Sequence, residues 1–282
     1  MSLLQLPEIK ADARIGAAQF DMRPEALERW EPGVSAAVDG NSPSISIYEQ
    51  IGASWDGSGF TASRAAGILR TIGERDVVVN LNSPGGDFFE GVAIYNLLRQ
   101  HKAKVTVQVM GLAASAASVI AMAGDEILMG DGSFLMIHNA WAVAVGNRHD
   151  MKAASEQLAP FDEAMAEVYA ARSGKSVKEA AAMMDAETWI GATQAVKDGF
   201  ATGMVDRSSI VHDTKAQGNK KTLALIEASM ARAGHSRSVR RDTLRSLFSG
   251  TPGAAENPTT PSAGPEVAAS LQTLLNNLKG TQ

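Results

Sequence analysis

VMGLAASAASVIAMAGDE, residues 109–126, is the stretch on which the fold turns. From Val109 to Ala123 nearly every side chain is apolar or very small, yet two hydroxyls, Ser115 and Ser118, lie inside it. The preceding residues, KVTVQVM (104–110), read as a buried strand, and 115–123 reads as a helix of small residues. Ser115 therefore falls at a strand–turn–helix junction, the place of a nucleophile elbow, although the pattern GxSxG is absent. Buried hydroxyls are unfavourable unless they find partners. Ser115 is thus either a helix cap and packing residue or a reactive group, and the alanines at 113, 114, 116 and 117 leave room for a substrate backbone to approach it. Ser118, three residues into the helix, has the weaker claim and reads as packing.

Outward from this junction the same alternation continues. SISIYE, starting at Ser44, alternates like a strand, and FTASRAAGILRTIG (60–73) has helical spacing behind a Thr61 or Ser63 cap. DVVVNLNS (76–83) is a continuous β-branched strand, FFEGVAIYNLLRQ (88–100) a helix, and EILMG (126–130) and SFLMIH (133–138) are short strands. A long amphipathic helix spans 149–174, begun by Asp150 and stopped by Gly174, and two shorter helices follow at 176–184 and 192–199. Strands alternating with helices predict an α/β domain with a largely parallel sheet over about 44–206. Residues 1–43 show no convincing period and read as an N-terminal arm. Residues 207–282 read as a basic, linker-rich, mostly disordered C-terminal tail, in which 207–247 is weakly helical, 249–265 has linker composition and EVAASLQTLLNNLKG forms a short closing helix.

The totals set bounds. The 282 residues are 45% hydrophobic and 20% charged, enough for a sizeable core, and the net charge of −5 is unevenly placed. Residues 1–206 carry 16 basic against 26 acidic side chains, whereas 207–282 carry 10 against 5. With no cysteine, disulfides, thiolate catalysis and cysteine-ligated metals are excluded. The longest apolar run is too short and interrupted for a membrane span, and the N-terminus lacks the basic start and apolar block of a signal peptide. The expected setting is soluble and intracellular.

Two further motifs carry chemistry. NSPGGD (82–87) separates a strand from a helix, where free backbone N–H groups can hold an anion or a developing oxyanion. It lacks the lysine and hydroxyl of a nucleotide phosphate loop, and a plain glycine-rich turn is the competing reading. Of the five histidines, at 101, 138, 149, 212 and 235, only His138 closes an apolar strand that could aim it at the start of the small-residue helix.

NSPGG, then GLAAS ending at Ser115, then MIH ending at His138, in this order and with 29 residues from Gly86 to Ser115, resemble the Clp protease proteolytic subunit family. TWIGATQAVKDGFATGMVD (188–206) is similar to a downstream segment of that family, so the resemblance covers roughly 44–206. It implies the Clp protease/crotonase-like fold of repeated β-β-α units with a long handle helix. It implies a serine endopeptidase with Ser115 as nucleophile, His138 as general base, and the N–H groups of Gly86 and Ala116 as oxyanion hole. No cofactor or metal is implied. The third member departs from the family: Glu187, two residues before Trp189, takes the place of the family's aspartate, with Asp185 as the alternative acid.

The N-terminal arm is unlike the family's docking loops, and a basic tail has been added. This combination resembles the phage branch, head maturation proteases acting inside a procapsid. That branch implies capsid or scaffold proteins as substrates, a homo-oligomeric ring, no membrane, no required nucleic acid and no defined ATPase partner. The location is then the bacterial host cytoplasm or the procapsid. The stripe Leu158, Phe161, Met165 and Val168 on the long helix either meets a neighbouring subunit or covers its own core. A histidine base predicts activity rising through roughly pH 6–7. The competing readings are a crotonase-fold acyl-CoA enzyme, a catalytically silent assembly component and a Ser/Lys peptidase of the signal-peptidase kind.

Overall fold

In the computed structural model, which describes residues 19–20, 22–37, 42–144, 146–206, 210–212 and 220–248, the expected alternation of strands and helices is present. Chain order is β1 (Gln19–Phe20), α1 (Pro24–Arg29), β2 (Val34–Ala36), β3 (Ser44–Ile47), α2 (Ala62–Ile72), β4 (Val77–Ser83), α3 (Phe88–Arg99), β5 (Val105–Ala114), α4 (Ala116–Ala121) and β6 (Glu126–Met129). It continues with β7 (Phe134–Ile137), β8 (Ala142–Val143), α5 (Arg148–Ser173), α6 (Val177–Asp185), β9 (Thr188–Gly191), α7 (Ala192–Lys197), β10 (Gly203–Met204), β11 (Ile210–His212), α8 (Lys220–Arg232) and α9 (Arg237–Phe248). The main sheet runs β10-β6-β5-β4-β3 with all pairs parallel, and β7 joins β5 in parallel and β9 antiparallel. Val77, Val79, Leu81, Val105, Val107 and Val109 share one face and are buried in the core, whereas Val78, Thr106 and Gln108 between them are only half-buried. The first halves of β4 and β5 therefore alternate in burial instead of being buried on both faces as the continuous β-branched run predicts.

The site is positioned by an irregularity in β5. Its first half pairs with β6 and its last three residues pair with β7. Against β4 the register shifts from Leu81 opposite Val109 to Ser83 opposite Ala113, so β5 bulges by two residues. The bulge brings Ala113, and hence Ser115, level with the NSPGG turn. Asn82, fully buried, fills the gap in the ladder: its Oδ1 accepts from Leu112 N–H at 3.1 Å. Its Nδ2 donates to the carbonyls of Glu31 and Val34 at 2.8 Å each, stitching the N-terminal segment to the same point.

Residues 22–36, grouped by composition with an arm, are packed against the domain. Met22, Ala26, Leu27 and Trp30 form a cluster with Leu112, Ala114, Met136 and Ala228, and the Trp30 indole donates to Asn82 O at 3.0 Å. A helix of six residues makes under two turns, so its pattern is too short to show a period. Likewise, α8 rests on α1, and α9 buries Leu244 and Arg240. The packed body therefore extends beyond residue 206, at which the sequence alone places its edge. The linker at 249–265 and the closing helix after it lie outside the described residues.

The long helix α5 is capped by Asn147, whose side chain accepts from His149 N–H at 2.8 Å, while Asp150 reaches back to Asn147 N–H. Gly174, at φ 72°, ends it. Phe161, Met165 and Val168 are buried in the domain's own core, with Leu158 against it. Of the two readings of this stripe, the structure shows the intramolecular one.

Candidate active site

Ser115 links β5 to α4 with φ 55° and ψ −126°, one of two non-glycine residues with positive φ among those described. Such a backbone persists only where its surroundings over-determine it, at a cost of roughly 1–3 kcal/mol. Both flanking peptide units are held. Ser115 N–H donates to Met136 O on β7 at 2.9 Å, and Ser115 O accepts from the N–H groups of Ser118 at 2.9 Å and Val119 at 3.3 Å.

The glycines opposite are required by space as well as by conformation. Gly85 has φ 91°, and a Cβ there would lie 2.6 Å from Ala114 O and 2.7 Å from Ser115 Cβ. Gly86 has φ 146°, and a Cβ would run into Ile51 O. The bridge to Ile51 is made by its neighbours: Ile51 N–H donates to Gly85 O at 2.8 Å and Asp87 N–H to Ile51 O at 3.0 Å. The N–H of Gly86 therefore faces away from Ile51. Ala116 is the first residue of α4, where an N–H has no partner within the helix.

Gly86, Ser115, Ala116, His138, Trp141 and Met165 line one pocket. His138 follows β7 directly and is buried, with no hydrogen-bond partner at Nε2. Burial first, and then the positive charge of Arg23, push its pKa down to about 4, against smaller opposing effects of the Asn139 backbone and Glu25. The imidazole is therefore neutral across the physiological range. For a histidine so placed, the acid limb of activity is expected near pH 4 and not at pH 6–7, because the ring leaves water for a buried pocket beside a cation.

Neither candidate acid reaches the ring. Glu187, at φ 48° in the turn between α6 and β9, is ion-paired with Arg23. Asp185 Oδ1 accepts from Asn139 Nδ2 at 2.7 Å, and Asp162 Oδ1 accepts from Ala140 N–H at 2.5 Å. Both aspartates thus tether the loop after His138. Burial, ahead of the nearby Asp185 charge, holds the Asp162 carboxyl above its usual range.

The structure thus gathers Ser115, His138, Gly86 and Ala116 on one pocket and leaves Glu187 and Asp185 on other partners. Sequence reasoning missed Arg23, which touches Glu187, perturbs His138 and lies 5.8 Å from the Trp141 ring. Its ion pair with Glu25 is local, but nothing in the sequence signals its pairing with Glu187, 164 residues away. It also treated Ser118 as filler, whereas its hydroxyl bonds to Ser115 O and to Tyr169.

The Clp protease family profile matches residues 68–208. The ATP-dependent Clp protease proteolytic subunit 2 of Rhodococcus jostii is 31% identical over 137 residues, 48% of this chain and 70% of that protein. The ATP-dependent Clp protease proteolytic subunit of Leuconostoc citreum is 30% identical over 146 residues, 50% of this chain and 72% of the relative. That of Ligilactobacillus salivarius is 31% identical over 134 residues, covering 47% and 68%. The matched span holds the glycine turn, the elbow and the histidine strand together, and by profile and relatives alike the chain belongs to the Clp protease family.

Proposed function

We propose that the chain is a serine endopeptidase in which Ser115 attacks the scissile carbonyl and neutral His138 takes its proton. The N–H groups of Gly86 and Ala116 then bind the tetrahedral oxyanion. Glu187 orients the imidazolium once it leaves Arg23, with Asp185 as the alternative. The observation that carries this reading is a serine held at positive φ on a strand-to-helix turn, sharing a pocket with a buried, unpartnered imidazole nitrogen. Membership of a peptidase family supports it.

The substrates we propose are capsid or scaffold proteins of a phage procapsid, cleaved by a homo-oligomeric ring. What supports this role is the basic segment beyond the matched span, which opposes the acidic body in charge. The relatives' name, proteolytic subunit, supports assembly. Among the described residues no helix is long and apolar enough to cross a membrane.

The test is intact mass of the full chain in assembled particles, wild type against Ser115→Ala. The proposal expects C-terminal shortening in wild type and full-length chain in the variant. Full-length chain in both contradicts self-processing. Light scattering at micromolar concentration checks the ring, which a monomer would exclude.

A further inference from the structure

Ser118 and Tyr169 are both buried, and neither belongs to the catalytic set above. Ser118 Oγ lies 2.6 Å from Ser115 O and 2.8 Å from the Tyr169 hydroxyl. The proton order follows from chemistry. A carbonyl only accepts, so the single Ser118 proton goes to Ser115 O, and Tyr169 must then donate to Ser118 Oγ. Burial raises the Tyr169 pKa, so the phenol keeps its proton throughout the working range. The result is a directed chain, Tyr169 O–H to Ser118 O–H to Ser115 carbonyl, with each bond polarising the next.

That carbonyl belongs to the Ser115–Ala116 peptide unit. Because the unit is planar and trans, fixing the direction of its C=O fixes the Ala116 N–H in the opposite sense. The strained Ser115 backbone makes this anchoring matter, since relaxation toward ordinary angles would swing the same plane. The long helix α5 holds the other side of α4 as well: Arg172 Nη2 donates to Met122 O at 2.7 Å and to Gly124 O, capping the helix end. Tyr169 and Arg172 thus clamp α4 at its start and its finish.

We infer that Ser118 and Tyr169 are positioning residues that aim the Ala116 N–H at the developing oxyanion. This rests on the peptidase reading of the Ser115 site. The experiment measures kcat and KM on a peptide substrate, and affinity for a peptide boronate that forms a tetrahedral adduct, in wild type, Ser118→Ala, Tyr169→Phe and the double variant. Loss of aim should lower kcat by ~10-fold, less than removal of an oxyanion donor, with KM unchanged. Boronate affinity should fall by a similar factor, and the double variant should be no worse than the poorer single one. If Tyr169→Phe does not fold, Ser118→Ala decides alone.

Lower melting temperature with unchanged kcat in both single variants overturns the inference and leaves the peptidase reading intact. A wild-type chain with neither turnover nor boronate adduct overturns both.

Discussion

The two halves of the pocket are built differently. Around Ser115 the backbone is both bonded and strained: its N–H is anchored on Met136 O, its carbonyl takes three donors, and glycine stands where a side chain would collide. Around His138 the bonds lead elsewhere. Its Nε2 is unpartnered, Glu187 is held by Arg23, and Asp185 and Asp162 hold the following loop. The contrast separates a proposed nucleophile on an anchored backbone from a proposed base whose candidate acids, Glu187 and Asp185, are held by other partners. Rigid preorganisation of the charge-stabilising half is where catalysis gains most.

The rigid half should break most severely. Gly85→Ala puts a Cβ against Ala114 O and Ser115 Cβ at φ 91°, so the elbow has to move. Turnover should fall by about 100-fold or more, since small displacements of reacting groups carry that penalty. A kcat within a few-fold of wild type would show that the elbow is not constrained as described.

On the other half, Glu187→Gln should lower kcat by roughly 10-fold, and Asp185→Asn by less, because the amide at 185 keeps an oxygen for Asn139. Steady-state kinetics of the pair decides the acid. Equal, small effects would mean that Ser115 and His138 work as a dyad. A larger effect at 185 would move the role to Asp185.

The mildest expected change is in pH dependence. Wild-type kcat/KM should be flat from pH 6 to 8 and fall only as pH drops toward about 4, where His138 gains its proton. Arg23→Gln removes a cation that disfavours the imidazolium, so the acid limb should move up toward the ordinary imidazole range. A limb that stays in place would show that burial alone sets the histidine. The same depression has a consequence for folding. The unfolded chain binds a proton near the ordinary imidazole value of 6.5 and the folded chain does not until about 4, so His138's contribution to stability is lost as pH falls through that window.

Much of the rigid half was legible in the chain. The β-branched runs, the glycine turn and the small-residue helix are local patterns, and local patterns decide strands, turns and helices. The base half was less so. His138 could be chosen because it ends an apolar strand, but the acid depends on a pair between Arg23 and Glu187 that no spacing announces. The two-residue bulge in β5 was also hidden, because it arises from pairing with two partners and is filled by Asn82, a residue that reads as part of a turn. The packing of residues 22–36 and 220–248 was hidden for a related reason: α1 has only six residues, and Met22, Leu27 and Trp30 meet partners such as Leu112, Met136 and Ala228 that lie far along the chain.

On the proposed mechanism Ser115, and no other hydroxyl, is the activated nucleophile. Reaction of the full chain with a fluorophosphonate, followed by intact mass and peptide mapping, tests it directly. One adduct per chain on Ser115, absent in Ser115→Ala and retained in Ser118→Ala, is the predicted result. An adduct on Ser118, or none on the folded wild type, would contradict it.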